Sequence, residues 1–389
     1  MKDLSRTHGE DLEILKIAYI TAEEILGPKN AGGIQCCIRN LNILKQAFGE
    51  ENIFVCAITK HKELLSITTD NTTTFYSSRR KLDILKNTLS GRLQFGQKTE
   101  NAILEHIENL SCDVAFIEFS RMGFLQERLP EKIKQVLFMH NIEVEYIKSS
   151  IRVHPSYRIL NRAFKLNETM AVKNADVIIS LNYRDVKKLE EYYNRTANLI
   201  LPITMDDQYI ANDVIRRESN KTKLQLLFVG SLFPPNEHGI TWFINEVMPY
   251  INAELSVIGK DFETLSGKLS RDNVKIIGTV DGLSHYYNSA DVVVLPILTG
   301  SGMKVKTAEA LMYGKPIFAT DESLEGYDVE GLKNIYRCNS TRDFIGVINA
   351  YTKNPPYIRF DNSIRNLFLE KYNSTAYIHV IRELLEKQK

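Results

Sequence analysis

Residues 299–316 read TGSGMKVKTAEALMYGKP and follow an apolar run, DVVVLPIL, at 291–298. The run has the character of a buried strand. MKVKTAEALMYG has helical propensity and closes on Gly314, a residue suited to a helix C-cap. Thr299-Gly300-Ser301-Gly302 is then the turn that carries a strand end into a helix. Backbone amides at such a turn, with no side chain in the way, make an anion site. Lys304 and Lys306 put positive charge in the first turn, the unfavourable end of the helix dipole for a cation, and a phosphate there would compensate. Lys306 and Glu309 lie three apart on one helix face. The alternative is a glycine turn capped by Ser301 with Lys306 and Glu309 as a solvated pair, and this stretch alone leaves both readings open. Two familiar phosphate loops fail: Val305 stands where a P-loop needs glycine before Lys306-Thr307, and where G-x-G-x-x-G needs its last glycine.

The same alternation of apolar run and helix-like segment extends along the chain. Strands are predicted at KIAYIT, NIFVCAI, DVAFIEF, QVLFMH and ADVIISL in the first half, and at LQLLFVG, AELSVIG, NVKIIG, DVVVLP and KPIFAT in the second. Most are continuous apolar runs, as expected when helices cover both faces of a parallel sheet. Ile34, Ile38, Leu41, Leu44 and Phe48 are spaced to line one helix face. The polar stretch QYIANDVIRRESNKTK at 208–223 reads as a linker. The sequence therefore predicts an α/β chain of two doubly wound, Rossmann-like domains, 1–205 and 206–372, with a terminal helix in 373–389. Ligands of such sheets bind beyond the carboxyl ends of the strands, which points to a cleft between the domains.

Composition excludes several classes. With 389 residues, two domains are the default. The 49 basic against 48 acidic residues give no field that would suit nucleic acid. No apolar run is long enough to span a bilayer and the N-terminus is not a secretory signal, so a cytoplasmic location is expected. Cysteines 36, 37, 56, 112 and 338 show neither metal spacing nor a disulfide framework and read as small buried hydrophobes in a reducing compartment.

The order VGSLFPPNEHGITWFINEVMP, LSVIGKD, VKIIGTVDGLSHYYNSADVVVLPILTGSGMKVKTAEALMYGKPIFAT (229–320) resembles retaining glycosyltransferases of family 4, the group 1 glycosyltransferases. In the first half NAGGIQCCIRNLNIL, LFMHNIEVEY and ADVIISLNYRDVKKLEE carry a weaker likeness. The resemblance implies the GT-B fold, with the nucleotide-sugar donor held mainly by the second domain, the acceptor on the side of the first, and the last helix, in 373–389, crossing back to the N-terminal domain. It places Glu309 at the second glutamate of the family's E-x7-E motif, on the donor ribose, where a carboxylate can accept from two neighbouring hydroxyls. It places Gly302, Lys306, Gly230 and Ser231 at the diphosphate, joined by Ser301 and Lys304, and Val280 at the nucleobase. Gly33, after Gly32, would bring backbone close to the donor phosphate, and His140, following a strand directly, would meet the transferred sugar or acceptor.

The likeness has gaps. The first glutamate of E-x7-E falls at Ser301, the usual phosphate-binding arginine at Ser231, and its partner lysine at or near His238. A subgroup with GS in the first loop and GSG…K in the second shares this pattern, and there the Lys306 equivalent serves the pyrophosphate. The reaction implied is retaining transfer of a sugar from a nucleoside-diphosphate sugar to an acceptor hydroxyl in polysaccharide, glycolipid or glycoprotein assembly. It is drawn as front-face attack without a protein nucleophile. The nucleotide-sugar is a substrate, not a cofactor, and without a D-x-D motif no essential metal is expected. The alternative function is a non-catalytic GT-B protein that binds sugars or a partner. A sugar-nucleotide 2-epimerase is a third reading, and the motifs matched are the transferase ones.

Ser77 to Lys98 carries Arg79, Arg80, Lys81, Lys86, Arg92 and Lys98 against Asp83, with Leu82, Leu85, Leu89 and Leu93 at helical spacing. Such a segment suits an anionic membrane surface at the inner face of the plasma membrane, or a lipid-phosphate acceptor. An ordinary solvated basic helix is the alternative.

Overall fold

All ten predicted apolar runs form strands, and they do so in two separate sheets. The computed structural model describes residues 15–27, 32–66, 69, 71–78, 80–145, 147, 157–210, 223–300, 302–353 and 357–387. In the first sheet the strands are β1 Ile17–Thr21, β2 Ile53–Thr59, β3 Thr72–Tyr76, β4 Val114–Glu118, β5 Lys134–Met139, β6 Val177–Ser180 and β7 Leu199–Ile200, in the order β3-β2-β1-β4-β5-β6-β7. The second holds β8 Leu224–Val229, β9 Ala253–Ile258, β10 Val274–Gly278, β11 Val292–Leu295, β12 Ile317–Ala319 and β13 Ile335–Arg337, in the order β10-β9-β8-β11-β12-β13. The ladders of β1 with β2 and β4, and of β8 with β9 and β11, are parallel, with Tyr19 between Val55 and Phe116 and with Leu226 between Leu255 and Val292.

The longer helices are α1 Gly32–Phe48, α2 Lys81–Leu89, α3 Gln97–Leu110, α4 Tyr157–Asn174, α5 Tyr183–Tyr193, α6 Pro234–Glu246, α7 Val305–Met312, α8 Thr341–Thr352, α9 Asn362–Lys371 and α10 Ile378–Glu386. The described residues fall into two compact units, drawn from 1–139, 143–178 and 378–389 and from 140–142 and 179–377. Within the first unit α10 packs on α1: Arg382 donates to the Ala47 carbonyl and its guanidinium lies 6.0 Å from the Phe48 ring centroid. Ile381 and Leu385 are the buried residues of α10. Most of the 208–223 stretch expected to link the domains lies outside the described residues.

The core of the second unit gathers Phe228, Phe243, Phe262 and Phe344, all with no exposed surface, around β8 and β9. Phe243 meets Phe344 edge to face at 5.2 Å. Truncating such a ring to alanine costs about 3–5 kcal/mol. The five cysteines are free and buried, and burial pushes the Cys112 thiol up to about 11 and the Cys338 thiol up to about 12. Among the described residues no helix is long and apolar enough to cross a membrane.

Candidate functional site

In the second sheet the strand order turns back at β8: the chain next builds β9 and β10 on one side, then β11 to β13 on the other. Ligands of doubly wound sheets bind at such a switch point, beyond the carboxyl ends of the two central strands. Gly230 and Ser231 follow β8, and the 299–302 corner follows β11.

The corner is longer than the sequence suggests. Gly302 has φ +65°, with no atom near the place a Cβ would occupy, so glycine is required there by conformation and not by crowding. The chain then runs extended through Lys304 before α7 begins at Val305. Lys304 thus stands just outside the helix, not in its first turn. Its ammonium reaches the Gly302 carbonyl and the Glu322 carboxylate, each at 2.6 Å, and Tyr327 donates to its carbonyl at 2.7 Å. Glu322 comes from the short helix Asp321–Leu324 after β12. Lys304 is therefore engaged in holding the corner to a neighbouring loop. Ser301 lies outside the described residues.

Lys306 is placed differently. Its ammonium donates to Asn236 Oδ1, while Asn236 Nδ2 donates to the Ser231 carbonyl at 2.8 Å. The Phe228 ring centroid lies 5.5 Å from the same ammonium. A Cβ on Gly230 would fall 2.9 Å from Asn236 Nδ2 and 3.2 Å from Lys306 Cε. Any larger residue at 230 would push this cluster apart. The structure thus brings together Gly230, Ser231 and Lys306, and adds Asn236, a buried residue in the first turn of α6 that the sequence reading passed over. Burial disfavours the ammonium form and lowers the Lys306 pKa to about 8, while the Glu309 carboxylate pulls the other way and Lys304 adds to the lowering.

Glu309 lies one turn along α7 from Lys306. Its Oε2 accepts from the Tyr287 hydroxyl at 3.0 Å. Tyr287 sits on the short helix Ser284–Ser289 between β10 and β11 and has no exposed surface. Its ring stacks on Tyr313 with centroids 4.5 Å apart and planes 2° from parallel, and the Tyr313 hydroxyl lies 2.6 Å from Ser284 Oγ. The phenol's pKa is raised well above the usual value, first by burial and then by the Glu309 charge, so Tyr287 is the donor. Val280 is half-buried in the loop after β10.

In the first unit the chain order turns back at β1, flanked by β2 and β4. Gly33 lies in the first turn of α1, and a Cβ there would meet the Phe119 ring at 3.5 Å. Phe119, just past β4, has φ +69°, a costly conformation for a bulky residue. Arg121 covers its ring at 4.6 Å and bonds Glu143 at 2.7 Å. Glu118, fully buried, accepts from Tyr19 at 2.7 Å and from Asn40 at 2.9 Å. No pattern in the sequence marks that carboxylate, because an isolated glutamate at the end of an apolar run has no motif. His140, which groups with the second unit, is buried in the loop directly after β5.

Residues 223–346 match the model of the family described as glycosyl transferases group 1. A Klebsiella pneumoniae 44.6 kDa protein in the cps region is 22% identical over an alignment 311 positions long that covers 72% of this chain and 76% of that one. Sucrose-phosphate synthase from Thermosynechococcus elongatus superposes with a TM-score of 0.72 at 16% identity, over 96% of this chain and 98% of its own. Anabaena HepE, solved with UDP and glucose, gives 0.63 at 12% identity, over 96% and 100%. Likeness at such identities is likeness of fold, and the fold is GT-B: two parallel-sheet α/β domains.

Proposed function

We propose that the chain is a retaining, metal-independent glycosyltransferase that moves a sugar from a nucleoside-diphosphate sugar to an acceptor hydroxyl in polysaccharide, glycolipid or glycoprotein assembly. The observation that carries this reading is the Lys306 ammonium, drawn to the Gly230–Ser231 turn by Asn236 and set one helical turn from Glu309. The match of residues 223–346 to a glycosyltransferase model supports it. Lys306 and the Gly302 turn receive the donor diphosphate, Glu309 the ribose, Val280 the base, and His140 the acceptor side. As the glycosidic bond breaks, negative charge grows on the diphosphate, and a fixed cation in a partly desolvated setting stabilises it more than the ground state. Lys306 does here what an arginine at position 231 would otherwise do. Lys304, already bound to Glu322, shapes the corner and adds long-range positive charge.

The experiment is calorimetric titration with UDP, GDP, ADP and dTDP in EDTA, followed by donor hydrolysis and NMR of the released anomer. Micromolar binding of one nucleotide and turnover of one of its sugars with retained configuration are expected. Binding without turnover, with or without added acceptors, would favour the non-catalytic sugar-binding alternative, and activity restored only by a divalent ion would overturn metal independence.

A peripheral position at the inner membrane face is part of the same proposal. α2 has no buried residue, and Leu82, Leu85 and Leu89 are 81%, 54% and 74% exposed beside Lys81 and Lys86. The helix ends at Leu89, so Leu93 does not extend its face. Arg92 bonds Glu100 at 2.8 Å, and Arg79 lies outside the described residues.

A further inference from the structure

We infer that Tyr287 is a positioning residue for nucleotide recognition: its buried hydroxyl fixes the Glu309 carboxylate so that two adjacent ribose hydroxyls can be accepted together. This rests on the proposal that Glu309 is the ribose ligand. A glutamate on a helix has three side-chain torsions, and capturing two hydroxyls at once needs all three fixed. The lost rotamer freedom is paid either on binding or in advance. Tyr287 supplies the second course. Its hydroxyl occupies Glu309 Oε2 at 3.0 Å, a charge-assisted bond in a buried setting.

Tyr287 is itself enclosed, with no exposed surface. Its ring lies flat on Tyr313 at 4.5 Å, Tyr313 is tied to Ser284 at 2.6 Å, and Tyr209 closes on Tyr313 edge-on at 6.2 Å. The carboxylate therefore inherits its orientation from an aromatic stack that joins the helix Ser284–Ser289 to the end of α7. A phenylalanine at 287 would keep that stack and remove only the hydroxyl.

The test uses Tyr287→Phe, Glu309→Gln and the double variant in the full chain. Each is titrated with UDP, GDP, ADP and CDP and with the corresponding 2′-deoxynucleoside diphosphates. Wild type should prefer the tightest ribonucleotide over its deoxy form by about tenfold, the size of one hydrogen bond to a charged group. Tyr287→Phe should weaken the ribonucleotide by about five- to tenfold and leave the deoxy form within about twofold, and it should add nothing in the Glu309→Gln background. Equal losses for both nucleotides would mean a merely structural role, and an unchanged preference would refute the inference. A Glu309→Gln variant that keeps full selectivity would overturn the ribose assignment instead. Failure of every nucleotide, dTDP included, to bind wild type would overturn both, and binding of dTDP alone, whose sugar has no 2′-hydroxyl, would refute the inference while leaving nucleotide binding standing.

Discussion

Asn236 accepts from the Lys306 ammonium with its side-chain oxygen and donates to the Ser231 carbonyl with its nitrogen, so one amide ties α7 to the turn after β8. The two residues are 70 positions apart, yet β8 and β11 are adjacent strands, which makes the loops after them neighbours. The Lys306 ammonium thereby reaches the Gly230–Ser231 turn from the far side of the switch point. Asn236→Ala should leave the fold intact and free the lysine to wander, weakening nucleoside diphosphate binding by about tenfold in calorimetry. An unchanged affinity would show that Lys306 holds its place without the amide.

Lys306→Ala should abolish detectable diphosphate binding, since a partly desolvated ammonium beside the phosphates is the largest local charge of the proposed site. Lys304→Ala should be milder for affinity, because that ammonium already bonds Glu322 and the Gly302 carbonyl. Comparable losses in the two variants would contradict the division of roles.

Much of this site can be read from one dimension, and the parts that cannot have a common cause. Lys306, Glu309 and Gly302 share one local segment, so spacing and residue type expose them. Asn236 and Tyr287 act across loops, and no spacing rule relates them to their partners. Lys304 stands outside the helix because α7 begins only at Val305, and its partner Glu322, 18 residues on and past another strand, is equally invisible to spacing. In the fold, the buried strands announced themselves as apolar runs. Three of the four edge strands did not: β3 is TTTFY, mostly half-exposed threonine, β7 is two residues long, and β13 is the partly exposed IYR, whereas the fourth edge, β10, is legible as VKIIG. A strand with one open edge needs little apolar surface, and short polar edges are how sheets avoid pairing with other chains.

Glu309→Ala should lose ribose recognition while the thermal midpoint stays within a few degrees of wild type, because Tyr287 keeps its stack on Tyr313. Its hydroxyl is then left buried without that partner, so a modest destabilisation of about 1–2 kcal/mol is expected. Circular dichroism melting and calorimetry read the two effects separately. Retained nucleotide affinity would remove Glu309 from the site.

Vesicle binding tests α2. Leu82, Leu85 and Leu89 are each more than half exposed beside Lys81 and Lys86. Full-length protein should cosediment with vesicles containing anionic phosphatidylglycerol and not with pure phosphatidylcholine, and the association should fall as salt screens the lysines. Replacing the three leucines with serine should release the protein at little cost in stability, since none is buried. Cosedimentation that survives the triple replacement would assign the surface elsewhere.

The pH dependence of donor binding follows from the setting of Lys306. Burial lowers its pKa from the ordinary lysine value to about 8, so the free protein loses the ammonium as pH rises through 8. A bound diphosphate favours the charged form and raises the pKa again, so binding takes up a proton between the two values. Affinity should be flat near pH 6–7 and fall above about 8, approaching tenfold per pH unit until the bound-state pKa is reached. For folding the sign is opposite. A lysine whose folded pKa is lowered disfavours the fold at neutral pH and ceases to do so as pH climbs from 8 toward its unfolded value. Lys306→Arg carries a charge that does not titrate in this range and should flatten the binding profile above pH 8. A wild-type profile that is level to pH 9.5, or an arginine variant with the same fall as wild type, would mean that Lys306 does not meet the diphosphate.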